Sequence, residues 1–222
     1  ITPPNSFIAS TAAIVHLGAV PVFVDVKQDQ NIDPRNIERA ITGKTKAIMP
    51  VHLTGRVSEM DKIKSIADNY DLKVIEDAAQ SAGSKYLEIS SGAWGNVGCF
   101  SAHPLKNLNA CGDAGFITTD DSNISHAIRL MANHGLKDRD TVEKFGLVSR
   151  MDALQAAILN YRIKKLPEVV KLRRNNARIY QELLNREHVF IADEKKDEFN
   201  TYHTFVIQAE QRDSLQGYLK NH

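Results

Sequence analysis

Apolar residues in this chain come in short, β-branched runs set apart by polar, turn-forming stretches. Residues 19–26 (Ala-Val-Pro-Val-Phe-Val-Asp-Val) form the first run and 46–53 (Lys-Ala-Ile-Met-Pro-Val-His-Leu) the second. Residues 72–77, 97–101 and 114–119 form three more. Short apolar runs of this kind predict strands buried on both faces of a sheet. Between them the apolar spacing becomes helical. Residues 11–17 carry Ala12, Ile14 and Val15, and a second helix follows Asp33-Pro34 with Ile37 and Ile41 four apart. Residues 59–70 place Met60, Ile63 and Ile66 on one face, with Ser58 as the expected N-cap. Strand–helix–strand alternation predicts an α/β fold around a mainly parallel sheet flanked by helices. After residue 121 the pattern is helical over 122–134, 150–164 and 168–186, and then a strand is expected at Thr204–Ile207. A domain boundary is expected within 165–190.

Composition narrows the function classes. At roughly 150 residues per domain, 222 residues make one large domain and part of a second. Lys plus Arg total 28 against 27 Asp plus Glu, a net charge of +1. That balance excludes the basic footprint of a nucleic-acid binder. No apolar run is long enough to span a bilayer as a helix. Cys99 and Cys111 are too few for a disulfide scaffold, which fits a cytoplasmic protein with reduced thiols. The chain opens at Ile1 in a loop-like stretch and ends at His222 inside a helical pattern, so a fragment lacking both ends of a longer protein is expected.

In open α/β sheets ligands lie at the carboxyl ends of the strands. The third run ends in Glu76-Asp77-Ala78-Ala79-Gln80. A buried strand-end acid is costly unless paired, so Asp77 reads either as a hydrogen-bonded structural group or as a carboxylate aimed at a cationic ligand. The fourth run leads through Ser101, Ala102, His103, Pro104 and Leu105 to Lys106, followed by Asn107, Asn109, Ala110, Gly112 and Gly115. A lysine held by close backbone packing can form a Schiff base once its pKa falls; a solvated surface lysine is the alternative. His52 ends the second run at the ligand edge, where contact with ligand is more frequent than in the core, though a structural role is the commoner outcome. His52, His103, His134 and His203 show no metal-ligand spacing, so no metal site is expected. Neither a GxGxxG nor a GxxxxGK[ST] loop is present, which weakens dinucleotide and P-loop readings. Arg150 and Asp152 are expected to open and cap a helix, and Gln155, Ala156 and Ala157 to serve close helix packing.

The combination Glu76-Asp77-Ala78-Ala79-Gln80 with Ser101-x4-Lys106-Asn107 resembles the sugar aminotransferases of the DegT/DnrJ/EryC/StrS type. The likeness runs from Pro4-Asn5-Ser6-Phe7 through Pro50-Val51-His52-Leu53-Thr54-Gly55 and Ser149-Arg150-Met151-Asp152 to His203–Ile207. The resemblance implies a type I pyridoxal-phosphate fold, with residues 1–165 as the cofactor-binding large domain. Residues 166–222 would be a linking helix and the start of a small domain. It implies pyridoxal 5′-phosphate as cofactor, a nucleotide-linked keto-sugar and an amino-acid donor such as glutamate as substrates, and a homodimer. Lys106 takes the place of the family's Schiff-base lysine and acid/base. Asp77 takes that of the acid paired with the pyridinium nitrogen, which makes the ring an electron sink. Gln80 falls near the ring hydroxyl, Ser101 at a phosphate-binding hydroxyl, and Phe7 at the aromatic that stacks on the ring. His103 lies on the substrate side or packs.

Two departures stand out. Many relatives carry an Asn that reaches the neighbouring subunit's cofactor phosphate; here Val148 occupies that position and cannot donate. The turn after the lysine is Gly112-Asp113-Ala114-Gly115, where relatives often have Gly-Glu-Gly-Gly. Two other readings stay open on the sequence. One is a sugar dehydratase or lyase, whose relatives replace the lysine with histidine. The other is an idle binding or regulatory protein on the same fold.

Overall fold

The computed structural model describes residues 1–222. In chain order the elements are α1 (Ile8–His16), α2 (Ile37–Ala40), β1 (Ala47–Ile48), α3 (Met60–Asn69), β2 (Lys73–Asp77), β3 (Lys85–Tyr86), β4 (Ile89–Ser90), β5 (Val97–Ser101) and β6 (Gly115–Thr118). Then follow α4 (Ser122–Met131), α5 (Ala153–Arg162), α6 (Leu166–Leu183), β7 (Val189–Phe190), β8 (Glu198–Phe199), β9 (Gln208–Ala209) and α7 (Arg212–Asn221). The main sheet has the order β1-β2-β5-β6. β1, β2 and β5 are parallel, and β6 closes the edge antiparallel to β5. This is the expected α/β architecture with a mainly parallel sheet.

The first apolar run does not form a strand. Thr2 N–H donates to Val22 O and Val24 N–H to Thr2 O, at 3.0 and 3.1 Å, and Ile1 pairs in turn with Ala47 and Met49. The run thus extends the sheet by a single bridge at Phe23. Pro21 lacks the N–H that a longer ladder needs. The strand expected at Thr204–Ile207 is also absent. Pairing starts later, where β9 joins β7 antiparallel, because residues 201–204 are drawn onto the 53–55 turn instead. Ser58 is not the cap of α3. Glu59 holds that position without a side-chain bond, while the buried Ser58 hydroxyl donates to Val51 O at 3.1 Å.

The core sits between α3 and the sheet. Met60, Ile63 and Ala67 are buried on one helix face and join Val24, Ile32, Ile37, Ile48, Val57, Leu72, Val74 and Tyr86 in one cluster. At about 25 cal/mol per Å² of apolar surface, this burial holds α3 on β1 and β2. A second, smaller cluster of Ala102, Leu108, Ala110 and Leu159 packs α5 beneath the loop that follows β5.

An ion network ties the segment before β8 to this core. Glu59 meets Lys27 at 3.3 Å, Lys62 at 3.2 Å and Lys195 at 3.1 Å. Burial pushes its carboxyl up, but the hydrogen bond from Lys195 and the charge of Lys27 outweigh it and hold the pKa at about 2. A depressed acid contributes stability above its ordinary pKa and loses it as pH falls through its folded one. Glu59→Gln is therefore expected to cost on the order of 1 kcal/mol at neutral pH. Thermal melts at stepped pH should show the gap to wild type closing between pH 4.5 and about 2. A gap that stays constant across that window would remove Glu59 from the network's energetics.

Candidate active site

Strand alternation decides where the two adjacent acids point. Successive side chains of a strand face opposite sides, so Glu76 shares the core face of β2 with Val74 and Asp77 takes the other. Glu76 is fully buried, and the chain satisfies it four times. Oε2 accepts from His52 Nε2 at 2.8 Å and Gly92 N–H at 2.7 Å, and Oε1 from Trp94 and Gly95 N–H at 2.8 and 2.6 Å. Burial pushes this carboxyl's pKa up, but the His52 bond leads the contacts that pull it lower overall. The close approach depends on Gly98: a Cβ there would lie 2.4 Å from Gly92 Cα. His52 is likewise fully buried, and its Nδ1 accepts from Ser58 N–H at 3.2 Å, which leaves the proton on Nε2 for Glu76. His52 is therefore a structural residue and does not touch the cleft.

On the opposite face, the carboxyl ends of β2 and β5 open into a cleft of about 1210 Å³. Phe7, Asp77, Gln80, Ser101, His103 and Lys106 all line it. Asp77 Oδ2 accepts from Ser10 Oγ at 2.5 Å and Oδ1 from Ala79 N–H at 3.1 Å. Gln80 Oε1 accepts from Thr54 N–H at 2.7 Å, so its amide N–H groups remain for a ligand. Ser101 Oγ accepts from His103 N–H at 3.3 Å, which keeps the hydroxyl proton for an acceptor in the cleft. His103 Nδ1 accepts from Leu105 N–H at 3.2 Å. Phe7 stands at the rim, 72% exposed.

Lys106 sits half-buried on a turn closed by its own N–H to His103 O at 2.8 Å. Burial lowers its amine below the usual lysine range, and the nearby Asp77 charge pulls the other way without cancelling the effect. The turn is braced from outside. Gln155 Oε1 accepts from Cys111 N–H at 2.9 Å, Arg162 bonds Asn109, and Asn107 Nδ2 donates to Thr201 O at 3.3 Å. Gln155 thus braces the lysine loop in addition to packing α5. Asp152 holds the N-cap position of α5 but makes no side-chain cap bond.

Sequence reasoning missed His203, Ser6 and Ser10, which line the same cleft. Ser10 lies in the first turn of α1 and Ser6 in the bend before it, so the sequence pattern gave no signal that they meet. His203 carried no signal either, because the fold delivers it from far along the chain. Arg173 on α6 donates to Tyr202 O and His203 O at 3.3 and 2.9 Å. Gly55, at φ +95°, lets this backbone approach: a Cβ there would lie 2.9 Å from His203 N. Burial, then the charges of Lys106 and Arg173, push the His203 pKa down to about 4. Its Nδ1 is buried with no partner in the chain. At neutral pH His203 is uncharged and offers the cleft hydrogen bonds rather than charge. No group of three or more His, Cys, Asp or Glu is placed to hold a metal ion.

An α/β sheet that turns a hydrogen-bonded carboxylate and a partly desolvated lysine into one cleft has the architecture of the type I pyridoxal-phosphate enzymes. The chain belongs to the DegT/DnrJ/EryC1/StrS aminotransferase family, whose sequence profile matches residues 1–222. It is 40% identical over 99% of its length to a pleiotropic regulatory protein of Geobacillus stearothermophilus, covering 60% of that protein. It is 38% identical over 99% of its length to the UDP-2-acetamido-2-deoxy-3-oxo-D-glucuronate aminotransferase of Pseudomonas aeruginosa, covering 62%. Among solved structures it matches DesV of S. venezuelae with a TM-score of 0.95 at 35% identity, over 99% of this chain and 60% of that one. The chain thus spans about 60% of the length of these relatives.

The family depends on pyridoxal phosphate, and the residues present fit that group. An amine whose proton affinity is lowered by burial suits an aldehyde, a carboxylate held by two donors suits a ring N–H, and the unspent proton of Ser101 suits a phosphate. Val148, at the position where relatives carry a donating Asn, is exposed and pairs with Asn133. The adjacent Ser149 and Arg150 line the cleft instead.

Proposed function

We propose that the protein containing this chain is a pyridoxal-phosphate-dependent aminotransferase. It moves an amino group from an amino acid, glutamate, to a nucleotide-linked keto-sugar in amino-sugar and surface-polysaccharide biosynthesis. The observation that carries the reading is Lys106 and Asp77 on one cleft, the amine shifted down by burial. Residues 1–165 are the cofactor-binding large domain, and 166–222 the linking helix and start of the small domain.

When bound, the cofactor supplies an aldehyde carbon and a ring that spreads the charge left at the donor's α-carbon. Lys106 is the residue that would hold the cofactor's aldehyde carbon, and its Nζ would serve as the acid/base that carries the proton between the donor's α-carbon and that former aldehyde carbon. Asp77 would hold a proton on the ring nitrogen. Gln80 would donate to the ring hydroxyl, Ser101 to the phosphate, and Phe7 would cover the ring. His103 borders the substrate side. Lys106 speaks against the dehydratase reading, in which histidine would occupy that position.

The same reading makes the enzyme a homodimer. Leu105, Phe145, Leu147 and Val148 stand exposed, and Leu105 and Leu147 line the cleft itself. Exposed apolar clusters of this kind mark interaction surfaces. The reading also places the enzyme in the cytoplasm; no helix is long and apolar enough to cross a membrane.

The test is a visible spectrum of the full-length protein with pyridoxal phosphate, repeated after glutamate and then after a nucleotide-linked keto-sugar. Glutamate should bleach the visible band and the keto-sugar should restore it. A band that glutamate leaves unchanged would overturn the donor. Absence of any band would leave the regulatory reading in its place.

A further inference from the structure

Asp77 does not stand alone in the cleft; two serines from the start of the chain stand beside it on the cleft wall. Ser6 Oγ lies 2.6 Å from Ser10 Oγ, and Ser10 Oγ lies 2.5 Å from Asp77 Oδ2. A serine has one proton to give, and an ionised carboxylate only accepts. Ser10 must therefore spend its proton on Asp77, and Ser6 must be the donor to Ser10. The order is fixed: Ser6 O–H to Ser10 O–H to Asp77. Ser10 is buried, while Ser6, in the bend before α1, is only partly so. With Ala79 N–H on Oδ1, the carboxylate carries a donor on each oxygen. Its plane is thereby set from both sides, and the hydroxyl that sets one side is itself polarised by a second.

We propose that Ser10 is a positioning residue for Asp77 and that Ser6 acts only through Ser10, the two hydroxyls aiming the carboxylate at the cofactor's ring nitrogen. The inference rests on the pyridoxal-phosphate reading of the cleft.

The test is equilibrium binding to the full-length apoenzyme of pyridoxamine phosphate, which needs no covalent bond to Lys106. A second ligand, the carbocyclic analogue with CH in place of the ring nitrogen, is measured alongside. The ratio of the two affinities reports the Asp77 contact and cancels general damage to the fold. Ser10→Ala is expected to lower that ratio about tenfold, the scale of a hydrogen bond to a charged group. Ser10→Thr, which keeps the hydroxyl, should restore it. Ser6→Ala should lower the ratio by less, and should add nothing in the Ser10→Ala background.

If Ser10→Ala weakens both ligands equally, Ser10 merely packs α1 and the proposal falls. If the Ser6 and Ser10 losses multiply independently, the relay is wrong. If wild type itself binds both ligands equally, Asp77 does not meet the ring nitrogen. That result would overturn the assigned role of Asp77 and the proposal with it, and no other outcome produces it.

Discussion

Lys106→Ala in the full-length protein is expected to abolish the visible absorption band of the bound cofactor and to cut turnover by on the order of 10⁴-fold. The size follows from two roles lost at once, the covalent attachment and the proton carrier. The change should leave the fold intact. The turn is closed by the backbone N–H of residue 106 to His103 O and braced by Gln155, Arg162 and Asn107, none of which needs the lysine side chain. Lys106→Arg is expected to fail nearly as badly, since a guanidinium stays protonated and cannot attack an aldehyde. Stopped-flow spectra of each variant with glutamate check both statements. A visible band that survives Lys106→Ala would mean another amine holds the cofactor.

The largest loss of stability is expected from Glu76→Ala. That change strips the partner from three backbone N–H groups and from His52 Nε2, of which the His52 and Gly92 donors are buried and the Trp94 and Gly95 donors partly so. Each buried donor left without a partner costs about 1–3 kcal/mol, against a total stability of about 5–15 kcal/mol for an ordinary domain. Glu76→Gln keeps the volume but turns one acceptor into a donor facing N–H groups, so it should recover only part of the loss. Chemical denaturation checks the ranking of wild type, Gln and Ala. Because Asp77 is the next residue on β2, cofactor affinity should fall in the same order. A Glu76→Ala variant within about 1 kcal/mol of wild type would show that the 92–95 turn holds itself, since the loss of several buried partners at once cannot be that small.

The adjacent acids show how far a sequence can be read. Glu76 and Asp77 stand one residue apart, and period-two alternation alone requires opposite faces for them. Which face is the core and which the cleft came from the packing of α3 on β1 and β2. His52 illustrates the same limit. Its place at a strand end left ligand contact open as the less frequent outcome, and the turn after it buried the ring against Glu76. Ser58 had the right residue type for a helix cap and spent its hydroxyl on Val51 instead. The runs at 19–26 and 204–207 had strand-like composition but lost their ladders, one to Pro21 and the other to the tether on the 53–55 turn.

The α/β class, the helix positions after residue 121 to within a few residues, and Asp77 and Lys106 as strand-end candidates are legible in local pattern, while Phe7, Gln80, Ser101 and His103 came through the family resemblance; the fold brings all six to one cleft. These are local matters: apolar period, strand-end chemistry and the spacing of Ser101 and Lys106 are all written within short windows. Long-range contacts alone settle that His203 joins Lys106, that Ser6 and Ser10 hydrogen-bond in series to Asp77, and that His52 is withdrawn from the cleft. Those outcomes depend on contacts between residues far apart in the chain, where burial and hydrogen-bond satisfaction choose among placements that local pattern leaves equal.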